Sequence, residues 1–404
     1  MALKNTPEHL SFLDYLRGIA IILVFLFHSL GGTFYSAPGF NSDSLRWNGL
    51  VRDFHAPLSF LCLLPAAFGG VGVAIFFVIS GFCIHLSHAR SKEKGFGTFF
   101  LRRFFRIYPP YLVALLFFTF IYSYTKLHFG LKLNNPNSVW SDLGQFGSHL
   151  FLIHNLFDEY HHGINSAFWS IGAEVQLYLL YPLLLWLTLR LGWRRTIWLT
   201  MFIEVGMRGV EGALSVYVPS LTLSRWFTSF PLIYWFSWSM GAMIADSYLK
   251  GELLPFRRFS PWLFFMLFIG SYFYKPIQPF EFMFGALMTA TLIVRLLNRP
   301  ATVFPSQGWM GAMCNHLRWT GLVSYSLYLI HEPLVTCVPR WAARLSHNQH
   351  LPHLLVYGLC LLSWPFIFGI AYLFYHYIEL PSIAWGKRII KERALKRMGE
   401  EAPA

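Results

Sequence analysis

Ten stretches of mostly apolar residues, separated by short polar segments, run along the chain. A helix needs about 20 such residues to cross the hydrocarbon core of a bilayer, and most of these stretches approach that length. They cover residues 12–33, 67–88, 109–126, 167–189, 196–215, 228–248, 260–274, 279–297, 320–338 and 353–377. The pattern predicts an all-α fold, a polytopic membrane helical bundle of about ten transmembrane helices. The first stretch is too long for the core of a cleavable signal peptide, so we expect it to remain as a membrane helix.

The distribution of Lys and Arg predicts the orientation of these helices. With the N-terminus in the cytoplasm, the cytoplasmic segments carry 21 of these residues and the outer segments carry 7. Cytoplasmic loops are enriched in basic residues, so both termini are predicted to be cytoplasmic and the basic loops to contact anionic lipid of the cytoplasmic (inner) membrane. No soluble basic domain is present to bind nucleic acid. We predict a transmembrane domain over 1–381 and a basic cytoplasmic tail over 382–404.

The composition excludes several classes of protein. Only 13% of the residues are charged and 55% are hydrophobic, whereas a soluble domain has about 25% charged residues. The five cysteines, which include Cys62, are scattered and form no CxxC motif, so we predict neither a disulfide framework nor a metal site. Histidines crowd the outer segment near a short apolar stretch, 149–157, which we interpret as interfacial or re-entrant. Their spacing matches no known metal-binding motif.

The first predicted span carries three ionisable residues, Asp14, Arg17 and His28. Charged groups inside a membrane are costly, which makes them functional candidates. Eleven residues separate Arg17 from His28, so both lie on one helix face, about 16 Å apart along the axis. Asp14 shares that face, three residues before Arg17. The alternative is that Arg17 reaches to lipid headgroups and His28 is a hydrogen-bonded core residue.

A basic cluster, Arg102, Arg103 and Arg106, precedes the third predicted span. Pro109 and Pro110 fit the first turn of a helix, which would place the arginines in the loop 89–108 at its cytoplasmic end. The i, i+3 spacing of Arg103 and Arg106 suits a shared phosphate group. The alternative is a stop-transfer signal.

A polar stripe opens the fourth predicted span. Ser170, Glu174, Tyr178 and Tyr181 lie on one helix face and are expected to point into the bundle. Glu174 is predicted at the depth of His28, where it would orient the imidazole or an acceptor hydroxyl. A salt bridge from Glu174 to Arg208 is the structural alternative.

Two other spans contribute candidate cavity residues. The ninth carries Tyr328 and His331, for which helix packing is the alternative to lining a cavity. The second has small residues, Ser80 and Gly81 among them, that permit close packing or the approach of a ligand.

Together these segments resemble the membrane-bound acyltransferase 3 family, bacterial O-acyltransferases that modify surface glycans and related acceptors. Six pieces spanning nearly the whole chain carry the resemblance. They are 13–20 (LDYLRGIA) with His28, 76–82 (FFVISGF), 102–109 (RRFFRIYP), 168–174 (FWSIGAE), 324–333 (SYSLYLIHEP) and 377–381 (YIELP). The last piece departs from the family, because His376 and Leu380 flank Glu379 where Lys or Arg is common. Some members carry a fused extracytoplasmic hydrolase-like domain, which we do not expect here, so the membrane domain or a separate protein would complete the transfer.

The resemblance implies transfer of an acyl group, usually acetyl, from cytosolic acyl-CoA (acetyl-CoA) to a hydroxyl of an extracytoplasmic glycan. It implies Arg17 and His28 as the essential pair, with Glu174 and Trp169 on the acceptor side. His28 would act as general base or transient acyl carrier, and the two routes stay open. The arginines 102, 103 and 106 would bind the CoA phosphates. Substrate contacts are expected from Asp14, Trp169, Ser170, Tyr178, Tyr328 and His331. The alternative function is a transporter or flippase, because intramembrane charges also mark substrate pathways.

Overall fold

The computed structural model describes most of the chain. The described residues are 10–34, 66–91, 93, 95–122, 139–218, 220–221, 223–298, 305, 307–346 and 351–400. Cys62, most of the predicted outer segment 34–66, the end of the third predicted span and residues 401–404 lie outside them. Within the described residues the fold is all-helical, as predicted, and contains no strand.

The described residues form thirteen α-helices of 10 or more residues. They are α1 (Phe12–Phe34), α2 (Val71–Arg90), α3 (Phe96–Leu116), α4 (Val139–Leu150), α5 (Phe168–Tyr217), α6 (Trp235–Lys250), α7 (Pro261–Ser271), α8 (Glu281–Leu297), α9 (Gly308–Leu322), α10 (Ser324–Leu345), α11 (His353–Leu362), α12 (Trp364–Phe374) and α13 (Leu380–Glu400). Each of the ten predicted spans overlaps at least one of them.

Among the described residues, five helical stretches are long and apolar enough to cross a membrane by length and composition. They are Phe12–Thr33, Val71–Arg90, Phe168–Tyr217, Lys275–Leu297 and His353–Leu395. Large apolar side chains are exposed around the bundle, for example Phe202 (77%) and Phe366 (72%). A soluble protein would bury such residues, so the chain is a membrane protein. The count of ten spans and the cytoplasmic position of both termini remain predictions.

Helix α5 contains the predicted fourth and fifth spans in one stretch of 50 residues. Its path is broken at Gly192, whose φ of 75° and ψ of 159° are not helical. Residues with a side chain rarely adopt a positive φ, so glycine permits this break. The break falls between the predicted spans 167–189 and 196–215.

The third span begins earlier than predicted. Helix α3 starts at Phe96, so the segment 89–108 is largely helical and the prolines lie inside the helix. Pro109 has no N–H to donate to the carbonyl of Phe105, and the hydroxyl of Ser382 in α13 donates to that carbonyl instead. Sequence reasoning placed the prolines at the first turn because this long-range donor is invisible locally.

One further helix boundary differs from the predicted span, and one helix runs across a predicted domain boundary. Val323 separates α9 from α10, so the predicted span 320–338 begins with the end of one helix and α10 continues to Leu345. Helix α13 begins at Leu380 and therefore crosses the predicted boundary between the membrane domain and the tail.

Close approach of α2 and α6 fixes the centre of the bundle. A Cβ atom at Gly81 would collide with the carbonyl of Trp238, and one at Gly241 would collide with the carbonyl of Val78. Two glycines on facing helices thus let the backbones touch, as small residues do in membrane bundles. This confirms the expectation of close packing for the second span.

A buried ion pair joins the second half of α5 to its neighbours. Arg208 donates to Glu204 at 3.1 Å, to the carbonyl of Pro279 at 2.6 Å and to that of Ile233 at 2.7 Å. Glu204 also accepts from the hydroxyl and the backbone N–H of Ser237. Every strong hydrogen-bonding group of this pair therefore has a partner, as burial of charge requires.

We expect Arg208→Ala to destabilise the fold by about 3–5 kcal/mol, because Glu204 would remain buried without its cation. Thermal unfolding of the detergent-solubilised protein should show a marked fall in Tm. Arg388→Ala is the matched control, since Arg388 also pairs with a Glu four residues on, at 2.9 Å, but with 80% of its side chain exposed. A small effect of Arg208→Ala, equal to that of the control, would contradict this prediction.

Candidate active site

One cavity of about 340 Å³ lies among α1, α2, α3, α5 and α10. Seven of its lining residues were predicted as site residues from the sequence. They are Arg17, Arg103, Arg106, Ser170, Glu174, Tyr178 and Tyr328. The wall therefore collects residues that are up to 311 positions apart in the chain.

One face of α2 lines the whole length of the cavity. Most of its lining residues recur every three or four positions, as residues on one helix face do. They are Val73, Phe76, Phe77, Ile79, Ser80, Cys83, Ile84 and Ser87. The face changes character along the helix. The half nearest Val73 is apolar, and the half nearest Ser87 carries hydroxyl and thiol groups.

Arg17 enters the polar half of the cavity from α1. Its guanidinium donates to the carboxylate of Asp14 at 3.0 Å and to the sulfur of Cys83 at 3.1 Å. Asp14 is buried and does not line the cavity. The structure therefore places Asp14 behind Arg17, where its charge holds the guanidinium in position.

The three arginines of α3 separate into two sets. Arg103 and Arg106 both line the cavity, as their i, i+3 spacing predicts. Arg102 instead donates to the hydroxyl of Ser91 at 2.7 Å and is not part of the wall. The Nε of Arg103 is buried and has no hydrogen-bond partner among the described residues.

Glu379 belongs to the piece 377–381 of the family resemblance, but no role in the site was predicted for it. It lies in a π-helical turn, Tyr375–Glu379, is buried, and accepts a 2.6 Å hydrogen bond from the hydroxyl of Ser326. Its negative charge attracts the guanidinium of Arg106. The π-turn itself indicates a functional role for this residue, because such turns occur frequently at functional sites.

Glu174 belongs to a hydrogen-bonded chain in the wall. The indole of Trp238 donates to the hydroxyl of Ser80 at 3.2 Å, and that hydroxyl lies 3.2 Å from the hydroxyl of Tyr178. Tyr178 donates to the carboxylate of Glu174. The alternative prediction, a salt bridge from Glu174 to Arg208, is not observed, because Arg208 pairs with Glu204.

Tyr328 closes the apolar half of the cavity. Its hydroxyl lies 2.6 Å from that of Ser170, and its ring centroid is 5.8 Å from that of Phe76. His331 lies three residues further along α10, and its ring centroid is 5.4 Å from that of Tyr328. His331 and His28 are not on the cavity wall.

His28 and His331 form a hydrogen-bonded pair. Nδ1 of His331 lies 3.2 and 3.0 Å from the carbonyl oxygens of Leu327 and Tyr328, which only accept, so it carries the proton. Its Nε2 therefore has a lone pair, which faces Nδ1 of His28 at 3.1 Å. Nδ1 of His28 also lies 3.0 Å from the carbonyl of Val24. The network assigns the proton of neutral His28 to Nδ1 and leaves Nε2 as the basic nitrogen.

Trp169 lies apart from the cavity. Its ring stacks on that of His161 at 5.9 Å, and Nε2 of His161 lies 3.0 Å from the hydroxyl of Ser229. Burial lowers the pKa of His161 to about 3 and that of His149 to about 4, so both rings are neutral near pH 7. The described residues contain no group of three His, Cys, Asp or Glu able to hold a metal ion.

The structure thus divides the predicted site residues into three places. Seven line one cavity, His28 and His331 form a pair beyond Tyr328, and Asp14, Arg102 and Trp169 lie behind or beside these groups. The predicted contact between Glu174 and His28 is not observed, because His28 bonds to His331 and Glu174 bonds to Tyr178.

Comparison with known proteins gives a family and two relatives. The acyltransferase 3 family model, described as an acyltransferase domain, matches residues 10–377. A peptidoglycan O-acetyltransferase (OatA) of Listeria monocytogenes is 27% identical over 299 residues, which are 66% of this chain and 45% of that protein. An acyltransferase (MdmB) of Streptomyces mycarofaciens is 33% identical over 133 residues, 32% of each chain. The alignments thus span less than half the length of these relatives. No solved structure matches the chain.

Proposed function

The chain belongs to the acyltransferase 3 family, and we propose that it transfers an acyl group from cytosolic acyl-CoA to a hydroxyl of an extracytoplasmic glycan or related acceptor. The acyl group is acetyl in the simplest case, and the enzyme acts in the cytoplasmic membrane. The observation that carries the proposal is the cavity with three arginines at one end and an apolar end closed by Tyr328, next to His331 and His28.

The arginines account for the donor. CoA carries several phosphate charges, and Arg103 and Arg106 present guanidinium groups on one cavity wall with Arg17 in the same cavity. Asp14 and Glu379 partly balance this charge, which allows the arginines to stay in a membrane protein before the donor binds. With the phosphates at the arginines, the pantetheine arm points along α2 toward Tyr328.

His28 acts as the general base in this proposal. Its Nε2 accepts the proton of the acceptor hydroxyl, whose oxygen attacks the thioester carbonyl carbon. A C–O bond forms, the C–S bond breaks, and the proton passes to the CoA thiolate. His331 is a positioning residue: its lone pair accepts from Nδ1 of His28 and steadies the imidazolium that forms. The ring of Tyr328 lines the cavity and lies 5.4 Å from that of His331, so it connects the cavity wall to the histidine pair.

The nature of the acceptor is proposed from the relatives. One of them is, by its name, a peptidoglycan O-acetyltransferase, which supports a glycan hydroxyl as the acceptor class here. Anionic lipids around the basic segments complete the proposed set of partners.

The proposal is tested with purified protein in nanodiscs, radiolabelled acetyl-CoA and soluble glycan fragments. Release of free CoA thiol together with label on the glycan is expected. Movement of a solute across proteoliposomes without consumption of acyl-CoA would overturn the proposal in favour of a transporter.

We expect no acyl-enzyme in the absence of acceptor, because the general-base route forms no covalent intermediate. Rapid quenching after mixing with labelled acetyl-CoA, followed by mass spectrometry of the peptide containing His28, checks this. A peptide that carries an acetyl group removable by hydroxylamine would instead establish the acyl-carrier route.

A further inference from the structure

The two ends of the cavity differ in polarity. Arg17, Arg103 and Arg106 line it together with the polar half of the α2 face, which ends at Ser87. The other end of this face is Val73, fourteen residues before Ser87 and about 21 Å from it along the helix axis. The walls at this end are the apolar side chains of Val73, Phe76, Phe77 and Ile171 and the ring of Tyr328, whose hydroxyl bonds to that of Ser170 at 2.6 Å.

The walls of the apolar end differ in mobility. Phe77 is 2% exposed and its ring packs against those of Tyr234 at 5.4 Å and Phe282 at 5.3 Å, so it is fixed from behind. Tyr328 is held by Ser170 through a 2.6 Å hydrogen bond. Phe76 is only partly buried and faces the cavity, where its edge meets the ring of Tyr328 at 5.8 Å.

We infer that the apolar end binds the acyl chain of the donor and that Phe76, set against Tyr328, limits its length. The inference rests on the proposed function, because it takes the arginine end as the place of the CoA phosphates. A polar acceptor sugar would lose hydrogen bonds to water at an apolar wall, whereas an acyl chain gains from burial there.

The size limit follows from packing. Protein interiors are close-packed, so each methylene added to the acyl chain needs additional space. The ring of Phe76 packs against that of Tyr328 and leaves no such space. Removing the ring of Phe76 leaves the fixed wall at Phe77 in place and opens space beside Tyr328. Each methylene that fills this space should raise kcat/KM about fourfold, equivalent to about 0.8 kcal/mol.

The experiment compares acyl-CoAs from two to ten carbons as donors to one glycan acceptor. For the wild type, kcat/KM should fall steeply with chain length. For Phe76→Ala, the ratio of kcat/KM for hexanoyl-CoA to that for acetyl-CoA should rise about tenfold or more, and Phe76→Leu should give a smaller rise. Phe202→Ala, which removes a ring that is 77% exposed on the outside of the bundle, should leave the ratio unchanged.

Two results would overturn the inference while the proposed function stands. The first is a wild-type enzyme that transfers decanoyl as fast as acetyl, a result that needs no variant. The second is an unchanged ratio in both Phe76 variants, with acetyl transfer retained. If Phe76→Ala does not fold, the inference is tested by Phe76→Leu and by the dependence of wild-type kcat/KM on acyl-chain length. Transfer from no acyl-CoA at all would instead refute the proposed function.

Discussion

Replacing His28 with alanine should lower the rate of acyl transfer about 10³-fold, the usual contribution of a positioned general base. The expected loss is in kcat, because His28 is not on the wall of the cavity that we assign to the donor. His331 and Val24 direct Nδ1 of His28 inward through bonds of 3.1 and 3.0 Å, which leaves Nε2 for the acceptor. Labelled acetyl transfer under saturating acyl-CoA measures the effect.

His316→Ala is the matched control, because it removes an exposed imidazole outside the site. Its transfer rate should equal that of the wild type. A His28→Ala protein that elutes as a single species from size-exclusion chromatography and still transfers acetyl at near wild-type rate would show that the base is another residue.

The helical architecture was readable from the sequence because membrane insertion imposes a simple rule on composition. Each predicted span meets helix in the structure, and the break between the fourth and fifth spans falls at Gly192. The start of α3 was not readable. The arginine cluster 102–106 and the two prolines after it resemble a charged loop followed by a new helix, and the donor that compensates for Pro109 comes from Ser382, more than 270 residues away.

The helical spacing of polar residues within single segments predicted several residues that line the cavity. Arg103 and Arg106 share a face at i, i+3, and Ser170, Glu174 and Tyr178 share one at i, i+4, and all five line the same cavity. Periodicity says which residues are on one face of one helix. It does not say which helix that face meets.

Partners between helices were therefore the part that sequence reasoning missed. The pair of His28 with His331 joins residues 303 positions apart, and Arg17 of α1 donates to Cys83 of α2. Glu174 was predicted to orient either His28 or an acceptor hydroxyl, and the first option rested on equal depth in the bilayer, which fixes only one coordinate. The rotation of α5 instead turns Glu174 toward Tyr178 on its own helix.

The double variant Arg103→Ala with Arg106→Ala should raise the KM for acyl-CoA about 100-fold or more. Each charge-assisted hydrogen bond to phosphate contributes about 1.5–3 kcal/mol, and the variant removes two guanidinium groups from the cavity wall. The KM for the glycan should change little, because the apolar end and Tyr328 are untouched. Steady-state kinetics with each substrate varied in turn separates the two effects.

Arg102→Ala provides the control from the same basic cluster. It removes an equal charge from α3, but one that is bound to Ser91 and is not on the cavity wall. If general attraction of the anionic donor by the cluster were the cause, Arg102→Ala would raise the KM as much as either cavity arginine alone. Recognition inside the cavity requires instead that Arg102→Ala leave the KM for acyl-CoA nearly unchanged, while Arg103→Ala and Arg106→Ala each raise it at least tenfold.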